Sequence, residues 1–142
     1  MRKTGRILFL GLLVLFLASA GSALADKPVA LIGTTWTGSD ITLVTAGNPG
    51  AASTTNSFSI AFAQATGTTD TDLLGGQFTP PGGSATSFSA VQHGNFVSIV
   101  APNFIIHARV ETFWSHRTST TTMHIRGKNL TNGSQFFGAL TE

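Results

Sequence analysis

Four histidines, at positions 93, 107, 116 and 124, are the side chains best suited to hold a metal or move a proton near neutral pH. His107 and His124 fall on the outward face of what read as adjacent strands, whereas His93 and His116 sit at turns. Two histidines begin a zinc or copper site, but such a site needs three or four ligands and a second shell. Solvated surface histidines are therefore the expectation, and no metal is assigned. Acid–base catalysis requires two positioned groups with displaced pKa values. Asp70 and Asp72 lie two apart among threonines and read as turn-stabilising residues. Glu111 is the only acid inside a strand, and its expected neighbours are His124 and Arg126, a surface ion pair. There is no Gly-x-Ser-x-Gly elbow, phosphate loop or metal-ligand spacing. No catalytic residue and no cofactor are assigned; a His-dependent enzyme is the lesser alternative to a non-catalytic protein.

The aromatics offer more. Trp36, Phe58, Phe62, Phe78, Phe88, Phe104, Trp114 and Phe136 all fall on expected inner faces. They form either a solid core or the wall of a pocket for a small apolar molecule, with Gln64 and Gln92 as orienting groups. A filled core is the favoured of the two, because barrels this short often fill themselves.

The strand that positions these residues is Phe104–Trp114. Its even positions are mostly apolar, and its odd positions include His107, Arg109 and Glu111. A period of two is the mark of a strand with one dry face. A first strand opens at Gly33-Thr34-Thr35-Trp36-Thr37-Gly38 and continues through Ile41, Leu43 and Val44. Ala46–Ser53 reads as a loop. Further strands are expected over Ser57–Ala65, Leu73–Thr79, Thr86–His93, Phe96–Ala101, Thr120–Leu130 and Ser134–Thr141. Gly94-Asn95, Pro102-Asn103 and Asn132-Gly133 read as two-residue turns. The first would set Ala90 opposite Ile99 and the second Ile99 opposite Ile106. The third would set Ile125 opposite Leu140 and Gly127 opposite Gly138. Each register brings apolar faces together, which a one-residue slip would undo.

Eight strands, short links and no helical period predict an all-β antiparallel meander, closed or nearly closed into a barrel, with a two-sheet sandwich as the alternative. Gly33-Thr34-Thr35-Trp36, Gly75-Gly76-Gln77-Phe78 and Phe136-Phe137-Gly138-Ala139-Leu140 resemble the calycin group of lipocalins, fatty-acid-binding proteins and avidins. The lipocalin start is Gly-x-Trp, and this chain carries one residue more. The resemblance implies small-molecule binding and a tryptophan, here Trp36, plugging one barrel end. The avidin site uses several tryptophans and a tyrosine; this chain has two tryptophans and no tyrosine, so biotin gains no support.

Met1–Ala25 reads as a signal-peptide helix: basic Arg2, Lys3 and Arg6, an apolar Ile7–Leu17, and small residues at Ala23 and Ala25 before cleavage at Asp26. The remainder, 26–142, reads as one exported domain, periplasmic or extracellular, that must stand without disulfides since the chain has no cysteine. The sequon-like Asn129-Leu130-Thr131 and Asn132-Gly133-Ser134 matter only on a eukaryotic secretory route and otherwise read as turns. The chain has eight basic and six acidic residues, and three of the basic ones lie in the leader. The rest is close to neutral, so no nucleic-acid partner is expected. Outward positions rich in Ser and Thr argue against a membrane-spanning barrel, and no membrane contact is expected after cleavage. The function this supports is binding of a small apolar ligand; the alternative is a structural or protein-interaction domain.

Overall fold

The computed structural model describes residues 28–38, 40–48, 50, 52–55 and 58–142. The leader expected over residues 1–25 lies outside them. The alternating stretches form ten segments: β1 (Thr35–Gly38), β2 (Ile41–Val44), β3 (Ala52–Thr55), β4 (Phe58–Gln64), β5 (Leu73–Thr79), β6 (Thr86–His93), β7 (Phe96–Ala101), β8 (Phe104–Ser115), β9 (Thr118–Asn129) and β10 (Gln135–Thr141). From β4 to β10 each pairs antiparallel with the next. β1 then joins β4 to β10 and closes the ring. Closure excludes the sandwich.

Ten segments make eight barrel strands. Gly38 faces Phe58 and Ile41 faces Thr55, three residues further along both chains, so one register joins β1–β2 to β3–β4. Against β10 the count differs: Thr37 faces Thr141 and Thr42 faces Phe137, five residues on one side and four on the other. One extra residue is the mark of a β-bulge, which bends a strand and increases its twist. Ile41 packs at this step, where a Cβ on Gly138 would stand 2.6 Å from its Cδ1. The expected loop over Ala46–Ser53 is thus too long: Ala52 and Ser53 already belong to β3, held by Val44 and Leu43 across the pair.

The strands over Leu73–Thr79, Thr86–His93 and Phe96–Ala101 have the expected bounds. Gly94-Asn95 is a two-residue turn, with His93 facing Phe96 and Gly94 at φ 61°. Pro102-Asn103 is another, with Ala101 facing Phe104. Asn103 has φ 65°, and proline followed by a residue with positive φ is what a type II turn requires. Both expected registers hold: Ala90 faces Ile99, and Ile99 faces Ile106.

The last hairpin departs by two residues. Ile125 faces Gly138, Met123 faces Leu140, and Gly127 faces Phe136. Asn132 does not take the positive φ of a type I′ turn; only Gly133 does, at 72°. Instead the loop is wider and the Asn129 and Asn132 side chains close it, accepting from the backbone N–H of Thr131 and Ser134 at 2.9 Å each. An even shift keeps every side chain on its face. What selects it is the Phe136 ring, which lies in the space a Cβ on Gly127 would fill.

Burial alternates around the ring: Phe88 and Ala90, Val97 and Ile99, Ile106, Ala108 and Val110, Met123 and Ile125 all point inward. Phe58, Phe78, Phe104 and Phe136 form a closed circuit of tilted and edge-on rings with centroids 5.0–6.3 Å apart. Such pairs contribute ~0.5–1.5 kcal/mol each beyond the area they bury.

β8 and β9 outrun their neighbours. β7 follows β8 only to Arg109, and β10 follows β9 only to Thr122. Beyond these points, residues 111–115 and 118–121 pair only with each other among the described residues. Trp114, expected inside, therefore stands 81% exposed on this ribbon. Its position still alternates correctly, but there is no opposite wall at that level.

Candidate binding site at the open end of the barrel

One end of the barrel is shut by the segment ahead of β1. Gly33 N–H donates to Phe62 O and Phe62 N–H to Thr34 O, both at 2.9 Å, which folds the segment against β4. Leu31 is buried beneath it. The Thr34 hydroxyl donates to Leu31 O at 2.7 Å and accepts from Trp36 Nε1–H at 2.8 Å. Trp36 is wholly buried. Gln92 completes the seal: its Nε2 donates to Val29 O at 2.8 Å and Gly94 O at 3.0 Å. Its amide is a strap for the plug. Gln92→Leu is expected to destabilise by ~1–3 kcal/mol, since two carbonyls lose their donor. Amide exchange at Val29–Leu31 should rise more than exchange in β7 or β8; equal protection loss throughout would contradict a strap.

The other end carries a cleft above the phenylalanine circuit, whose Phe58, Phe78 and Phe136 rings are at most 2% exposed. Between the loops that follow β5 and β9 lies a cavity of about 220 Å³, lined by Leu43, Pro80, Pro81, Phe104 and Phe136, with Asn129, Asn132 and Ser134 on one side. Two rings of the phenylalanine circuit thus form part of its wall. The two asparagine oxygens are spent on the backbone, which leaves their NH₂ groups as donors. Ser134 is 8% exposed, and its hydroxyl has no partner among the described residues. An apolar wall with a few donors along one side is the usual build of a small-molecule site.

The expected ligand-binding set divides accordingly. Phe104 and Phe136 line the mouth, and Phe58 and Phe78 stand behind them. Phe62 and Phe88 meet edge-on at 5.5 Å as core, and Trp36 and Gln92 belong to the plug. Gln64 does not face the interior: it is exposed and donates to Thr68 O at 3.1 Å in the turn after β4. Trp114 is outside altogether. The mouth residues Asn129, Asn132 and Ser134 read as turn formers, because nothing in a turn dipeptide tells which loop will overhang a cavity.

The titratable residues do not converge. His107 faces Arg126 and His124 faces Arg109, so the two histidines are diagonal neighbours on the outer wall. His107 Nδ1 lies 3.5 Å from Ser98 Oγ. Glu111 pairs with Arg109 at 3.0 Å and lies 3.6 Å from His124, not beside Arg126 as expected. These side chains are a quarter to over half exposed, which limits such a pair to ~0–1 kcal/mol. Asp70 accepts from the Asp72 N–H at 3.0 Å, the turn role expected of it. Among the described residues no three His, Cys, Asp or Glu side chains gather as a metal site.

No family model matches the chain, and no curated protein or solved structure matches it either. The class it belongs to is therefore defined by geometry alone: a small, closed, eight-stranded antiparallel β-barrel, compatible in topology with the calycins.

Proposed function

We propose that this chain is an exported, non-catalytic binding module that takes a small apolar molecule in the mouth of its barrel. The observation that carries the reading is the asymmetry of the two ends: a tryptophan-sealed floor at one, and a partly aromatic cavity with unspent donors at the other. At about 220 Å³ the mouth is smaller than the ~300–1,000 Å³ of sites for drug-sized ligands. The ligand class is thus a single ring or short chain bearing one acceptor, which the Asn129 and Asn132 amides and the Ser134 hydroxyl would meet. Export rests on the leader-like Met1–Ala25.

Thermal unfolding of the purified protein with indole, p-cresol and hexanoate tests the reading. A probe present at a hundred times its Kd raises stability by ~2.7 kcal/mol, and Phe104→Leu should weaken that probe about tenfold. If no probe moves Tm at millimolar concentration, the second reading stands: a structural or interaction domain whose rings serve only as core. The filled interior, with Phe58, Phe78, Ile99 and Ile106 almost wholly inaccessible, favours that alternative. N-terminal sequencing of protein recovered outside the cytoplasm should begin at Asp26.

A further inference from the structure

Near-neutral totals conceal a segregation. Every Lys and Arg among the described residues (Arg109, Arg117, Arg126 and Lys128) belongs to the β8–β9 hairpin, as do His107, His116 and His124. Only one acid, Glu111, shares it. Asp70 and Asp72 sit after β4, four strands from β8 in the ring order and on the opposite wall, while Asp40 and Glu142 flank β10, the strand beside β9. The described cations are therefore gathered on the hairpin that projects, while the acids are spread around the barrel.

The projecting ribbon is aromatic on both faces. Phe113, 62% exposed, alternates with Glu111 on the outer face, and Trp114 alternates with Thr112 on the other. Residues 111–115 carry it about 16 Å past the barrel at ~3.3 Å per residue. Arg117 follows in the turn, and Arg109 stands behind, its guanidinium 5.6 Å from the Phe96 ring centroid. A folded protein partner or a stacked base would cover one face of such a blade and leave the other aromatic wet. A lipid headgroup layer surrounds it.

We propose that the β8–β9 hairpin docks the barrel onto an anionic lipid surface. Phe113 and Trp114 enter the headgroup region, where Trp is favoured at the interface. Arg117 takes a lipid phosphate, and Arg109, Arg126 and Lys128 steer the approach. The ribbon enters no deeper, because its unpaired backbone edges would be unsatisfied in hydrocarbon. This departs from the expectation of no membrane contact, which rests on the polar outer faces of the strands and not on where the cations gather. It is independent of the ligand in the mouth.

The chain's two tryptophans make the test direct, since Trp36 is buried and Trp114 is exposed. The full-length protein is mixed with vesicles of phosphatidylcholine alone or phosphatidylcholine with phosphatidylglycerol, some carrying brominated acyl chains. The expected result is a blue shift and bromine quenching of Trp114 with the anionic vesicles only, absent in Trp114→Phe, where buried Trp36 reports that the fold is intact. Arg117→Gln should weaken the anionic-vesicle response about fivefold, and high salt should reverse it. Attachment by the leader alone would leave Trp114 emission unchanged and overturn the proposal. So would a shift equal on both vesicle types, or the same Trp114 change with oligo-dT or an acidic polysaccharide and none with vesicles.

Discussion

Gly76→Ala is expected to lose on the order of 3–5 kcal/mol of stability, a large share of the ~5–15 kcal/mol typical of a domain. Two costs fall together there. Gly76 has φ 148°, a region that residues with a side chain rarely enter. A Cβ at that position would also fall on the carbonyl oxygen of Ala61, well inside contact distance, and 2.9 Å from Phe88 Cζ. Gly76 faces Phe62 on β4 and Phe88 on β6, and those two rings meet edge-on inside the barrel. The bare backbone is what lets them meet. Because one obstacle is main chain, trimming a neighbouring side chain should not help: Gly76→Ala with Phe88→Leu should be no more stable than Gly76→Ala alone. Urea midpoints at unchanged slope would measure both; a Gly76→Ala loss under ~1 kcal/mol would show that the strand shifts freely.

Gly127→Ala is expected to cost about 2–4 kcal/mol by a different route. The nearest obstacles are atoms of the Phe136 ring, a side chain, where at Gly76 the nearest is backbone. Here a second change should rescue. Phe136→Leu alone leaves a gap in the phenylalanine circuit, yet combined with Gly127→Ala it should recover half or more of the first loss. That coupling, above about 1 kcal/mol in a double-mutant cycle, separates a packing conflict from a backbone one. Additive losses would refute it. The pair also explains the register of the last hairpin: sliding β10 by two residues to set Gly127 against Gly138 would take Phe136 off its only seat.

The contrast between these glycines marks what a linear reading can reach. The strands Leu73–Thr79, Thr86–His93 and Phe96–Ala101 are legible because alternation and turn residues agree and each is paired on both sides. Gly94-Asn95 and Pro102-Asn103 set registers because φ preferences act over two residues. Asn132-Gly133 misleads because the asparagine carboxamides bond their own loop, and the Phe136 ring across the hairpin decides the pairing. Trp114 misleads for another reason. Period two reports the pleat of a strand, and the strand outlasts the barrel. The mouth and the cation-bearing wall are illegible in the same way: both depend on which loops and strands become neighbours after closure, while composition reports only totals. The plug is half legible, as Trp36 is buried on an expected inner face, but its strap from Gln92 to Val29 spans sixty-three residues.

The ring is sealed by a pairing between the first barrel strand and the last, Thr37 with Thr141, which sets those two strands side by side. The order of the strands could accordingly be recut. A flexible tether long enough to cross the plugged end from Glu142 to Pro28, which leads into the segment strapped to β6, with new ends opened among Pro80–Ser84, would retain every strand neighbour while turning the most distant contact into a local one. Loop-closure entropy then falls on a different seam, so such a permuted chain should reach the same barrel by forming the β10–β1 junction early rather than last.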